Sequence, residues 1–305
     1  MNKYLSLLFT LCLFSLPMYA EKEQYVPSLF AKDKQAQDKV AMVMIHFGTT
    51  HTDTREKTIE TLNERVREAF PEWDFYEAYS SRLVIKKLKK KGVMKQTPTE
   101  VFQALIRQGY KYVMVQTSNI IDGIEMEAIR KEIAEVQDHF TDIRLGHCLL
   151  YAPEDYLKVA EVLKQEIPYS GQVVAIGHGT YTSANAAYAM MDYAFKEVGL
   201  HNFHVGTIEG YPTFQETLKR VKAAKDNKVL LIPLMFVAGE HAKNDIQGEW
   251  KELYENAGYK TEVLLKSLGE YSGILDVYVE HIKFAQAYKL YEIMEKKADY
   301  AQEND

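Results

Sequence analysis

Three residues whose side chains bind metals or move protons fall just past three apolar runs in the second half of the chain. His178 follows Val173-Val174-Ala175-Ile176, Glu209 follows the run at 203–207, and His241 follows the run at 228–234. Each sits beside or near a glycine, in Gly177-His178-Gly179-Thr180, Ile208-Glu209-Gly210-Tyr211-Pro212 and Gly239-Glu240-His241-Ala242. Glycine lets a backbone pass close to a ligand. Two imidazoles and a carboxylate suit a borderline divalent ion such as cobalt, nickel, iron or zinc. For any one of the three, the ordinary alternative is a polar residue at a turn. Three on consecutive strand ends weigh against that reading for the set. Asp245 lies one helical turn beyond His241 and on the same face. There it could accept from the imidazole N–H and fix its tautomer, or be an exposed helix charge.

The elements that must position these residues are legible as an alternation. Apolar runs at 40–47, 74–79, 111–117 and 143–150, then at 172–176, 203–207, 228–234 and 261–265, read as strands. Amphipathic stretches at 55–70, 125–139, 154–165, 183–198 and 244–257 read as the helices between them. Thr97-Pro98-Thr99-Glu100 has capping-box spacing with proline at the first helical position. Continuous apolar strands joined by helices predict parallel sheets covered on both faces. The halves also read as repeats. His46-Phe47-Gly48-Thr49 aligns with Gly177-His178-Gly179-Thr180, and residues 115–123 align without gaps with 231–239. The expected fold is therefore α/β, with two similar Rossmann-like units, each a four-stranded parallel sheet flanked by helices. Ligands of such sheets bind outside the carboxyl ends of the strands, which puts the site in the cleft between the units.

The expected organisation is a signal peptide at 1–20, a polar leader at 21–38, a first α/β unit at 39–150, a second with the metal site at 151–270, and a closing segment at 271–305. A charged start at Lys3, an apolar run and Met18-Tyr19-Ala20 make the secretory signal, which implies a periplasmic or otherwise exported protein. Phe9-Thr10-Leu11-Cys12 is a poor lipoprotein cleavage box. The run is too short to span a bilayer comfortably, and no other segment reads as an integral membrane span. Removing the signal leaves a single cysteine, Cys148, read as a buried strand residue and unable to form an intramolecular disulfide. Residues 275–301 read as one long final helix, free to cross back onto the first unit, to pack in a homo-oligomer or to cap its own chain.

Several function classes are disfavoured. The net charge of -6 leaves no basic stripe to neutralise phosphates, so no nucleic-acid partner is expected. The one basic cluster, Lys86-Lys87-Leu88-Lys89-Lys90-Lys91, reads as a solvated helix end favoured by the helix dipole. There is no Walker loop, no His-Glu-x-x-His and no Gly-x-Ser-x-Gly.

With these residues in place, the chain resembles the anaerobic-pathway sirohydrochlorin cobaltochelatases, class II chelatases similar in fold to ferrochelatase. Gly239-Glu240-His241-Ala242-Lys243-Asn244-Asp245, Gly177-His178-Gly179-Thr180 and Ile208-Glu209-Gly210-Tyr211-Pro212 carry the likeness, which spans about residues 40–282. Phe47-Gly48-Thr49-Thr50 with Arg55 matches as well. The motif around His241 is the specific one. The signal peptide resembles that of the periplasmic members. The resemblance implies that His178, Glu209 and His241 bind the substrate metal, Co2+ or else Fe2+ or Ni2+, and serve its insertion into a tetrapyrrole. It sets Phe47, Thr49, Arg55, Ser118 and Tyr211 against the macrocycle, with Arg55 and Ser118 meeting its acidic side chains. Tyr181 and Tyr211 follow the two turns and could stack on a macrocycle; packing in the core is the preferred reading, because tyrosine is common at half-buried sites. One departure stands out. Where the resemblance leads one to expect a Leu-His pair, the chain reads Ser118-Asn119-Ile120-Ile121, and Asn119 cannot act as a base near neutral pH. A non-catalytic exported binder of haem, tetrapyrrole or metal is the alternative, and a two-lobed periplasmic substrate-binding protein is a third.

Overall fold

A computed structural model describes residues 24–224, 226–239 and 242–303. The signal peptide expected at 1–20 and His241 lie outside the described residues. The first half forms strands β2 (Val40–His46), β3 (Asp74–Tyr79), β4 (Tyr112–Thr117) and β5 (Asp142–Leu145), in the spatial order β3-β2-β4-β5. The second half forms β6 (Gln172–Gly177), β7 (Phe203–Thr207), β8 (Lys228–Pro233) and β9 (Lys260–Val263), in the order β7-β6-β8-β9. Every pairing within these two sheets is parallel. The repeat proposed from sequence occupies matching places: β2 with β6 at the interior start of each sheet, β4 with β8 beside it. In both, the chain steps outward to one neighbour and then crosses back, so a switch-point crevice opens past the carboxyl ends of β2/β4 and of β6/β8.

The helices between are α1 (Thr61–Ala69), preceded by Thr52–Arg55 and a π-bonded segment Glu56–Glu60, then α2 (Arg82–Lys90), α3 (Pro98–Arg107), α4 (Ile124–Ala134), α5 (Pro153–Glu166), α6 (Ala186–Glu197), α7 (Phe214–Ala223), α8 (Lys251–Asn256), α9 (Ser272–Ala287) and α10 (Ile293–Glu303). The expected capping box is formed. Thr97 Oγ1 accepts from Glu100 N at 3.2 Å, and Glu100 Oε2 accepts from Thr97 N at 2.7 Å. Alternation along each strand sorts the core. Met42, Met44 and Met114 of the first sheet, Ala175, Val205 and Ile232 of the second, and Tyr278 and Ile282 of α9 belong to one continuous buried cluster. Val43, Ile45 and Val115 face an outer core, as Val174, Ile176 and Leu231 do in the second half. Each large apolar side chain so buried contributes about 1.5–3 kcal/mol.

The closing segment departs from expectation. It is two helices rather than one, interrupted by β10 (Tyr288–Leu290), which pairs antiparallel with β1 (Tyr25–Pro27). The break has an identifiable cause. Arg144 Nη1 donates to Ala285 O at 2.9 Å and to Tyr288 O at 3.2 Å, capturing carbonyls that the end of a helix leaves unpaired. The leader strand then offers Tyr288–Leu290 a ladder in place of further helix. The segment does return to the first half: Tyr278 OH donates to Ser118 O at 3.1 Å. Cys148 is buried as expected but lies past β5, which ends at Leu145 rather than at 150. Among the described residues no helix is long and apolar enough to cross a membrane.

Candidate active site

The turn after β6 and the turn after β7 are bound to each other. Ile208 N donates to Gly177 O at 3.0 Å and Glu209 N donates to His178 O at 2.8 Å, continuing the parallel ladder beyond both strands. His178 and Glu209 are thereby fixed on adjacent backbones. Gly179 has φ +87°, and a Cβ on it would lie 2.5 Å from Gly210 N. Only glycine permits that approach. Asn185, just before α6, spans both turns: its Oδ1 accepts from Thr180 N at 3.2 Å and its Nδ2 donates to Tyr211 O at 2.7 Å. Tyr188 OH accepts from Gly179 N at 3.1 Å. The second turn closes on itself, with Thr207 N and Oγ1 donating to Pro212 O at 2.8 and 3.0 Å.

His178 is half-buried, and its Nδ1 lies 3.2 Å from Gly179 O. A carbonyl can only accept, so Nδ1 is the donor of this bond. Glu209 is exposed. Among the described residues no three His, Cys, Asp or Glu side chains gather as a metal set, and His241 lies outside them. The third turn can be followed as far as Gly239. Leu234 N donates to Ile176 O at 2.8 Å, binding β8's exit to β6. A Cβ on Gly239 would stand 3.5 Å from Thr49 Oγ1. The turn leading to His241 therefore abuts the first-half turn. Asp245 is half-buried in the helix Ala242–Trp250, whose π hydrogen bonding alters the four-residue spacing assumed from sequence.

The first-half residues differ in placement. Phe47 is 47% exposed and Thr49 is buried, its hydroxyl accepting from His51 N at 3.2 Å. Arg55 Nε donates to Glu60 Oε1 at 2.9 Å, while its Nη1 and Tyr79 OH are buried with no hydrogen-bond partner among the described residues. Ser118 stands at the end of β4, but its hydroxyl turns inward to His46 Nδ1 at 2.8 Å. Asn119 Nδ2 is buried with no hydrogen-bond partner among the described residues. Tyr181 and Tyr211 are 87% and 55% exposed, so the core-packing reading fails for both. They sit on the turns after β6 and β7, which approach each other at Gly179 and Gly210 and leave both rings at the surface.

Sequence reasoning missed the polar chain under the first turn. His46 is wholly buried. Its Nε2 donates to Asn63 Oδ1 at 2.9 Å, and Asn63 Nδ2 donates to Glu77 Oε2 at 2.7 Å. A histidine closing an otherwise apolar strand was the available signal, and alignment with the second-half turn drew attention one residue past it. Burial lowers the His46 pKa and takes His204 down to about 4. Burial, then the neighbouring His281, takes His147 down to about 3. All three stay neutral when folded but gain protons when unfolded below their ordinary pKa of 6.5. The unfolded state then binds more protons, so stability falls as pH drops below that value, by up to roughly 1.4 kcal/mol per pH unit per histidine. Urea melts at about pH 7 and pH 5, a window above the usual carboxylate range, are expected to show a loss of several kcal/mol. Stability that stays flat or rises on acidification would show these histidines to be protonated in the fold.

Residues 40–287 match the family model described as Cobalt chelatase (CbiK). The chain is similar to a sirohydrochlorin cobaltochelatase from Salmonella typhimurium, 34% identical over 252 residues, covering 80% of this chain and 95% of the relative. It is similar to sirohydrochlorin cobaltochelatase CbiKC from Nitratidesulfovibrio vulgaris, 28% identical over 262 residues, covering 81% and 90%. In fold it matches SirB from Bacillus subtilis with Fe3+ at a TM-score of 0.62 and 15% identity, covering 82% of this chain and 96% of that one.

Proposed function

The chain belongs to the cobalt chelatase (CbiK) family, and from that premise we propose that it catalyses insertion of Co2+ into sirohydrochlorin, the metal entering as a substrate. A divalent ion and the free-base macrocycle combine, and two pyrrole protons leave. Imidazoles suit their removal, since an imidazole accepts a proton near neutral pH. His178 is one such base in this reading: its Nδ1 donates to Gly179 O, and its Nε2 would meet the ion or a pyrrole proton. His241 is the second imidazole of this reading. Glu209 completes the set, holding the partly desolvated ion and, being exposed, handing protons to solvent. Fe2+ and Ni2+ suit the same donors; the naming of both relatives as cobaltochelatases favours Co2+. The macrocycle is placed in the cleft against Phe47 and Tyr211, whose rings are exposed, with Thr49, Arg55 and Ser118 behind the first-half turn.

The observation that carries the reading is the bond from Glu209 N to His178 O, which fixes the backbones bearing a base and a carboxylate together past the carboxyl ends of β6 and β7. An anaerobic absorbance assay with sirohydrochlorin and Co2+ or Fe2+ tests it. Catalytic loss of the free-base spectrum, absent in a His178→Ala/His241→Ala double variant, is expected. The non-catalytic binder draws support from Asn119, which cannot be a base. A spectral change saturating at one macrocycle per chain, with no turnover for either metal, would select it. The apolar leader at 1–20 further supports export; recovery from the cytoplasm with Met1 intact would refute that.

A further inference from the structure

The basic cluster at 86–91 is placed where it can act on a substrate. The chain leaves the first sheet after Tyr79 and returns at Gln96, whose carbonyl accepts from Tyr79 N at 2.8 Å. Residues 80–95 are thus an excursion from the carboxyl edge of β3, and α2 is its body. Both ends are moored to the cleft turn of the first half. Ser80 N donates to His46 O at 2.8 Å and Ser81 N to Phe47 O at 3.3 Å. At the far end, Lys91 Nζ donates to Thr50 O at 3.2 Å. Leu88 is buried beneath, and Val84 and Ile85 are partly buried with it. That leaves Lys86, Lys87, Lys89, Lys90 and Lys91 exposed. The same turn, through Thr49, lies against Gly239, two residues before His241.

Few of the charges on this helix are answered locally: Arg82 pairs with Glu132 at 4.0 Å, and Arg82 and Lys89 act on Glu100 from a distance. Lys86, Lys87, Lys89 and Lys90 form no ion pair within 4.0 Å among the described residues, whereas Lys95, Lys111, Lys131, Lys158, Lys251 and Lys266 each pair with a carboxylate. Lys86 and Lys90 are four apart on one helix, where like charges repel. The dipole at the helix end offsets part of that. It does not explain why four lysines without an ion pair, in a chain of net charge -6, share one short helix beside the first-half turn.

We propose that this face of α2 is an electrostatic landing surface for the carboxylate-bearing rim of the macrocycle, guiding it between the two sets of turns. The proposal rests on the chelatase reading and names how that site acquires its substrate. Sirohydrochlorin carries acetate and propionate arms around its rim, ionised at neutral pH, which the lysines complement. A low-dielectric cleft edged by one sign of charge raises the capture rate of an opposite charge, and salt suppresses the effect.

The test is a quadruple Lys86→Gln, Lys87→Gln, Lys89→Gln, Lys90→Gln variant, leaving Lys91 and its bond to Thr50 intact. Its kcat/KM for sirohydrochlorin is expected to fall about tenfold at low ionic strength, with kcat unchanged and the deficit closing in high salt. The neutral methyl-ester form of the macrocycle should react equally with both proteins. A circular-dichroism melt matching that of the unaltered protein excludes misfolding. Unchanged kcat/KM and salt dependence would overturn the proposal. If the unaltered protein inserted no metal, the chelatase reading would fail by itself. Quenching on binding of metal-free sirohydrochlorin would still compare the two proteins, and equal affinities and association rates would sink the landing surface.

Discussion

His178→Ala is expected to lower the rate of metal insertion about a thousandfold, within the range seen for loss of a positioned acid–base group, while leaving the fold nearly as stable. The asymmetry follows from where the side chain sits. Its Nδ1 donates to the neighbouring Gly179 carbonyl, and it is half-buried rather than packed in the core. Removing it leaves no cavity, and the stability change should stay within about 0.5 kcal/mol, as for positions away from caps and cores. The ladder bond from Glu209 N to His178 O is backbone to backbone and survives the substitution. The carboxylate therefore stays in place while the base is lost. Single-turnover absorbance with saturating macrocycle and Co2+ measures the step directly. A variant inserting metal within threefold of the unaltered rate would remove His178 from the mechanism.

Sequence patterning made the sheets legible because their strands are buried on both faces and so read as unbroken apolar runs. The ends of β2, β3, β6 and β7 fell within a residue or so of expectation, and with them the places of His178 and Glu209. Patterning failed where a long-range partner decides the outcome. Residues 275–301 keep helical character in isolation, yet the Arg144 guanidinium and the leader strand divide them, and both come from far away in sequence. Ser118 was set against the macrocycle by the family resemblance; its hydroxyl meets a buried histidine on the adjacent strand, a partner that lies far away in sequence. Asn185 was invisible for another reason. An asparagine opening a helix is ordinary, and only the folded chain shows it holding two turns together. The lysine cluster was read by composition as a solvated helix end. Its significance lies in the return of the chain at Gln96, which no local pattern encodes.

Gly179→Ala is expected to be nearly as damaging as loss of the base, though it deletes no functional group. Two effects combine. At φ +87° a Cβ crowds its own backbone, costing about 1–2 kcal/mol. The new methyl would also lie 2.5 Å from Gly210 N and 2.8 Å from Gly210 Cα, atoms of the backbone that carries Glu209. Backbone held by the bonds of Asn185 and Thr207 cannot turn aside as a side-chain tip would, so the two turns must part. A separation of about 1 Å between base and carboxylate is enough to lower the rate on the order of a hundredfold. Gly199 isolates the backbone part. It has φ +83° with nothing within 4 Å of its added Cβ. Gly199→Ala should therefore lose about 1 kcal/mol of stability and keep its activity. The paired measurement is urea stability and insertion rate for both variants. Equal activities would mean that the contact between the turns does not set the geometry of the reaction. A hundredfold gap at comparable stability would mean that it does, and that Gly179 serves catalysis by what it lacks.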